Sequence, residues 1–110
     1  MNIQTLNGVA WIPGAGKGIG RALARRLAHN GWIICASART SEDLESLGAE
    51  CPDGSIRQYV LDVSDENATR LVLEDIQRDL GVLDLAVLNA GTHTPVMAAD
   101  LSAEPFRQLI

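Results

Sequence analysis

The chain has 110 residues, enough for one small domain and too few for two. Hydrophobic residues make up 46% and charged residues 21%, which excludes wholesale disorder. A net charge of −5 argues against a nucleic-acid or anionic-membrane surface, since both require basic stripes. No apolar run approaches the roughly 20 residues of a membrane-spanning helix, and Met1-Asn2-Ile3-Gln4 lacks the basic start and apolar core of a secretory signal. Cys35 and Cys51 are too few for a disulfide scaffold or a structural zinc site. The expectation is a cytoplasmic protein with reduced thiols and no metal, in which Cys35 is a small buried hydrophobe.

Val9 to Ile12 is a short apolar run stopped by Pro13-Gly14, which predicts a buried strand ended by a turn. Ile19, Leu23 and Leu27 recur every four positions up to Asn30-Gly31, with Arg21, Arg25 and Arg26 elsewhere, and predict an amphipathic helix. Trp32 to Ala36 reads as a second strand. Thr40 and Asp43 have capping-box spacing before a short helix reaching towards Leu47. After the turn residues Cys51-Pro52-Asp53-Gly54, Ile56 to Leu61 predicts a third strand. Ser64 is the expected cap of a long helix with Ala68, Leu71, Val72, Ile76 and Leu80 on one stripe and Gly81 at its end. Leu83 to Leu88 is a fourth strand, apolar enough to be covered on both faces. Ser102, flanked by Leu101 and Phe106, predicts a last helix within which the chain stops. Strands alternating with helices predict an α/β fold with a parallel sheet and right-handed crossovers, residues 1–110 forming a single domain without repeat or linker.

The first strand and first helix are joined by Gly14-Ala15-Gly16-Lys17-Gly18-Ile19-Gly20. Such a loop is a phosphate cradle. Glycines let the backbone turn sharply and approach a pyrophosphate, while amides at a helix N-terminus supply donors and a positive dipole end. A P-loop is excluded, because Trp11 and Gly18 stand where that motif needs its first glycine and its Ser or Thr. Gly14, Gly18 and Gly20 have the spacing Gly-x-x-x-Gly-x-Gly. Asp62-Val63 ends the third strand, and Leu88-Asn89-Ala90-Gly91 ends the fourth.

On these residues the chain resembles the short-chain dehydrogenase/reductase family over essentially its whole length. The resemblance implies a Rossmann-type doubly wound parallel sheet with helices on both faces, cut short at four strands in the order 3-2-1-4. It implies nicotinamide dinucleotide binding at Gly14, Ala15, Gly16, Lys17, Gly18, Ile19 and Gly20, with Asp62 and Val63 against the adenine and Asn89, Ala90 and Gly91 beside the loop. Pro13 stands where the family usually has Thr and Gly16 where Ser is common, departures that predict a looser loop and weaker cofactor binding. Leu88 replaces the first Asn of the family's Asn-Asn-Ala-Gly element.

The end of the second strand discriminates NAD from NADP, through a carboxylate for the ribose hydroxyls or an arginine for the 2′-phosphate. Ala38 stands there, followed by Arg39; Arg39, Lys17 and Ser37 therefore predict NADP(H) over NAD. Among other residues, His29 suits the end of its helix, and His93 follows the Asn-Ala-Gly turn. The acids Glu42, Asp43, Glu45, Glu50 and Asp53 read as a solvated face.

The family's reaction, hydride transfer between a nicotinamide and a carbonyl or alcohol, uses a tyrosine with a lysine four residues later. Here Val63 follows the single tyrosine, Tyr59, at that spacing, and the single lysine is Lys17. These 110 residues are therefore expected to carry no catalytic residue and to be inactive alone, as the N-terminal, NADP-binding part of a longer oxidoreductase. The fourth strand is expected to be an exposed apolar edge that pairs with the remainder of the fold or in a homo-oligomer. The alternative is a non-catalytic dinucleotide-binding sensor or an interaction module.

Overall fold

A computed structural model of the chain describes residues 8–81 and 83–87 and the backbone of 108–109. Among the described residues, five parallel strands and three helices follow one another as β1 (Val9–Pro13), α1 (Gly18–His29), β2 (Ile33–Ser37), α2 (Ser41–Ala49), β3 (Ile56–Gln58), α3 (Glu66–Leu80), β4 (Leu85–Ala86) and β5 (Gln108–Leu109). The sheet order is β3-β2-β1-β4-β5, so the predicted 3-2-1-4 arrangement stands and the strand order reverses between β1 and β4. In register, Val9 to Pro13 lie beside Ile33 to Ser37, and Ala10 and Trp11 lie beside Leu85 and Ala86.

Alternation along the strands sends side chains to two faces. Ala10, Ile12, Ile34 and Ala36 meet Ala24, Leu27 and Ala28 of α1 and Leu44 and Leu47 of α2. Trp11 and Cys35 meet Leu73 and Ile76 of α3, together with Leu83 and Ala86. Helices thus cover both faces of the sheet, as a parallel sheet built from apolar strands requires.

Several local expectations are corrected. The capping box at Thr40 does not form: Thr40 is the N-cap of α2 but makes no side-chain cap hydrogen bond. The cap of α3 is Asp65, whose carboxylate accepts the Ala68 amide at 3.0 Å. Ser64, one residue earlier, instead donates its hydroxyl to Asp62 at 2.7 Å. The predicted stripe of α3 keeps Ile76, with Ala68, Val72 and Leu80 packed beside it, but Leu73 is its other buried residue and Leu71 is 46% exposed.

The third strand is shorter than predicted, although the Tyr59 and Leu61 amides still reach the Ala36 and Ala38 carbonyls at 2.9 Å each. The fourth is likewise trimmed to Leu85–Ala86, with Leu88 outside the described residues. The reading of 101–110 as one helix fails at its end. Gln108–Leu109 is extended and pairs with Leu85–Ala86, so β4 is not an edge. A parallel strand presents unpaired N–H and C=O groups, and an extended segment satisfies them where a helix cannot.

Candidate functional site

The site is built where β1 turns into α1, at the reversal of strand order. Gly14 and Gly18 have φ of 94° and 62°, values that a side chain would strain, and they bend the chain out of the strand and into the helix. Gly20 serves a different need. A Cβ there would collide with the Gly14 carbonyl oxygen, so the helix can lie this close to the strand end only without a side chain. Gly16 is buried, and its α-carbon faces Ala38 and Asp43: a Cβ would stand 3.0 Å from the Ala38 Cβ and 3.1 Å from the Asp43 Cβ. The structure therefore shows Gly16 as a close contact between the loop and the β2–α2 turn.

The loop's amides fall into two groups. Those of Gly14 and Ala15 both donate to the Ser37 carbonyl at 2.8 Å, so they tie the loop to β2 and are not the free donors the sequence suggested. Gly18, Ile19 and Gly20 form the first turn of α1, where no intrahelical acceptor exists, and the N-cap Lys17 supplies no side-chain cap. Their N–H groups and the positive end of the helix dipole are the part of the loop equipped for an anion. Ile19, 76% exposed, is an apolar side chain standing in solvent beside them.

A cleft of about 330 Å³ opens next to this turn, lined by Gly14, Gly16 and Lys17 on one wall and Ala38, Arg39, Thr40 and Asp43 on the other. Leu61, Asp62 and Val63 close its end. It brings together Gly14, Gly16, Lys17, Arg39, Asp62 and Val63 of the residues singled out in the sequence. Ala15 and Ser37 are withdrawn from it. Both are fully buried, and the Ser37 hydroxyl accepts the Trp11 indole N–H at 3.2 Å on the α3 face, which corrects its expected place beside a phosphate. Asn89, Ala90 and Gly91, and His93, lie outside the described residues.

Thr40, Leu61 and Asp43 were missed. Asp43, grouped in the sequence with a solvated acidic face, is half-buried at the start of α2 with its carboxylate against Gly16. Its capping-box spacing from Thr40, which puts it in the first turn of α2, was the available signal.

The charges of the cleft are two cations, Lys17 and Arg39, and two carboxylates, Asp43 and Asp62. Asp62 is held below the ordinary carboxylate range, first by the Ser64 hydroxyl, then by the Ser64 amide at 3.0 Å, with the Arg39 charge adding to both. Tyr59 is not in the cleft. Its hydroxyl donates to Asp79 at 3.0 Å, and burial followed by that bond pushes its pKa up to about 12. That is the opposite of the shift neutral acid–base work requires. Burial also pushes the Cys35 thiol up to about 12. His29 donates Nε2 to the Glu50 carbonyl at 3.0 Å and joins the ends of α1 and α2. Among the described residues no group of three His, Cys, Asp or Glu is placed to hold a metal, and no helix is long and apolar enough to cross a membrane.

A parallel sheet reversing at β1 and β4, with a glycine turn and an uncapped helix start at that point, defines the Rossmann class of dinucleotide-binding folds. The family model described as short chain dehydrogenase matches residues 8–110, and the chain belongs to that family. It is 31% identical over 103 residues to the meso-2,3-butanediol dehydrogenase of Serratia marcescens, covering 94% of this chain and 41% of that protein. Among solved structures it is similar to an NAD+-bound xylitol dehydrogenase (TM-score 0.70, 36% identity, 76% of this chain and 33% of that one). It is also similar to YwfH, an NADPH dependent reductase involved in bacilysin biosynthesis (TM-score 0.72, 26% identity, 80% of this chain and 39% of that one). The chain thus spans well under half the length of each of these relatives.

Proposed function

We propose that this chain is the NADP(H)-binding part of a short-chain oxidoreductase that moves a hydride between the cofactor and a carbonyl or alcohol. The observation that carries the reading is the cleft itself: Lys17 and Arg39 stand on its two walls, and Ala38, not an acid, follows the end of β2. The first-turn amides at Gly18, Ile19 and Gly20 take the pyrophosphate, with Gly14 and Gly16 giving it room and Ala15 anchoring the loop. Arg39 and Lys17 hold the 2′-phosphate, and Asp62 and Val63 flank the adenine. Asn89, Ala90 and Gly91 belong to the site on their sequence alone. The cofactor supplies the hydride. The paired tyrosine and lysine that the family uses for proton transfer are not among these 110 residues, because Tyr59 is bonded to Asp79 and Lys17 belongs to the glycine loop.

A second reading, NAD in place of NADP, is favoured by Asp43, a carboxylate in the same cleft able to accept ribose hydroxyls. Titration of the chain with NADPH and NADH, for the wild type, Arg39→Asp and Asp43→Asn, separates the two. Under the NADP reading R39D weakens NADPH binding by about tenfold or more, on the order of 1.4 kcal/mol, and NADH binding much less. Equal losses for both nucleotides reject it, and a loss confined to NADH in D43N establishes the NAD reading.

A further inference from the structure

Arg21 follows the last glycine of the loop, and its side chain, only 20% exposed, does not line the cleft. It turns towards α2 instead. One guanidinium nitrogen donates to the Gly16 carbonyl at 3.4 Å and to the Asp43 carbonyl at 3.2 Å. The other donates to the Ser46 hydroxyl at 2.7 Å and pairs with the Glu50 carboxylate at 3.2 Å. Arg25 meets the same Glu50 oxygen at 3.3 Å from the exposed side of α1. One planar fork therefore spans the glycine loop and the start, middle and C-cap of α2, a span that only a guanidinium, with five donors in fixed geometry, can make.

The two walls of the cleft meet at these bonds. Gly16 belongs to the wall that carries Lys17, and Asp43 to the wall that carries Arg39. Pro13 has no N–H to give, and the amides of Gly14 and Ala15 are tied to β2. Beyond Ala15, the loop is joined to α2 by the Arg21 bond to the Gly16 carbonyl. That bond falls on the carbonyl of the peptide that joins Gly16 to Lys17.

We propose that Arg21 is a positioning residue for cofactor discrimination: without touching the nucleotide, it fixes the distance between Lys17 and Arg39 and so tunes the cleft for a 2′-phosphate. The inference rests on the nucleotide reading above. It also gives the loop, expected from Pro13 and Gly16 to be loose, a side-chain brace beyond its backbone ties at Gly14 and Ala15.

The test compares wild type, Arg21→Gln, Arg21→Lys and Glu50→Gln in the full 110-residue chain, by titration with NADPH and NADH and by amide hydrogen exchange. R21Q is expected to weaken NADPH binding about tenfold, the worth of one or two hydrogen bonds to a charged group, and NADH binding several-fold less. Exchange is expected to speed up together in the loop (14–20) and at the start of α2 (41–44). R21K does not rescue either readout, since one ammonium cannot reach both walls. E50Q loses ion pairs to Arg21 and Arg25 yet keeps the bonds to Gly16 and Asp43, so it lowers thermal stability while the NADPH-to-NADH ratio stays at the wild-type value. If R21Q and E50Q lower stability alike and neither changes the ratio or the loop exchange, the brace is purely structural and the proposal is overturned. A wild-type chain that binds neither nucleotide overturns the cofactor reading, and the discrimination role falls with it, whereas a binding wild type with an unaltered ratio in R21Q overturns this proposal alone.

Discussion

The two faces of the sheet solve the same burial problem with different mixtures of side chains, the α1 and α2 face being rich in alanine although it also buries Trp32, Leu85 and Val87. On the face of α1 and α2 the strands present Ala10, Ile12, Ile34 and Ala36, and the helices answer with Ala24, Ala28, Leu27, Leu44 and Leu47. On the face of α3 the strands present Trp11 and Cys35, backed by Leu61 and Leu83, against Leu73 and Ile76. Small side chains allow helix and strand backbones to approach, and Gly20 against Gly14 is the limit of that approach. The cleft opens at the strand ends, where the amide-bearing start of α1 comes close to them. The α3 face has no such constraint and spends its space on bulk.

The two tryptophans repeat the contrast. Trp11, on the α3 face, gives its indole N–H to Ser37, whereas the buried Trp32, on the other face, has no partner for its N–H among the described residues.

Emptying the bulky face is the severest way to break this comparison. Trp11 is fully buried, and Trp11→Ala removes a large aromatic group from the middle of the sheet at about 3–5 kcal/mol. Against a total stability of roughly 5–15 kcal/mol, urea unfolding should show a chain at or near the edge of folding.

Overfilling the close-packed face comes next. In Gly20→Ala the added methyl meets the backbone of Gly14, which cannot rotate away, so a loss of about 1–3 kcal/mol is expected together with loss of NADPH binding. A fully stable G20A that still binds the nucleotide would show that the helix start has room to retreat.

Alkaline pH probes the α3 face through its titratable groups. Cys35 rises from 9.0 to about 12 and Tyr59 from 10.0 to about 12, in both cases mainly by burial. The folded chain keeps protons that the unfolded chain releases, so this stability is complete below about pH 9 and is lost as pH climbs towards 12. Urea midpoints measured from pH 8 to 11 should fall, and the double variant Cys35→Ala, Tyr59→Phe should flatten the decline. Cys51, on the opposite face, is also raised by burial. An unflattened curve would move the alkaline sensitivity to that side.

The smallest effect sharpens the helix that covers the bulky face. Asp65→Ala removes the cap bond to Ala68 and should cost about 1 kcal/mol in thermal denaturation. Ser64→Ala, which leaves that bond intact, should cost less.

The sequence by itself determined what depends on one residue and its near neighbours. The four-residue recurrence of Ile19, Leu23 and Leu27 and the stop at Asn30 and Gly31 find the extent of α1, Gly18–His29, but not its buried face, which is Gly20, Ala24, Leu27 and Ala28 with Ile19 in solvent. The apolar runs around Trp11 and Ile34 place the central strands, and the Gly14, Gly18 and Gly20 spacing marks the loop because φ and space restrict each position to glycine. These are local steric facts, so a linear reading finds them.

The tertiary structure decided which way a polar group faces and which neighbour claims its hydrogen bonds. Ser37 looked like a phosphate ligand until its strand turned it towards Trp11, and Asp43 looked like surface charge until α2 laid it against Gly16. Ser64 and Asp65 compete for one helix start, and the outcome depends on Asp62 capturing the Ser64 hydroxyl. Gln108 and Leu109 are extended because an apolar parallel strand at 85–86 offers them backbone partners. In each case the deciding contact joins groups whose meeting is set by the assembled sheet and its helices, and a hydrogen bond is worth most to whichever arrangement leaves no buried polar group alone.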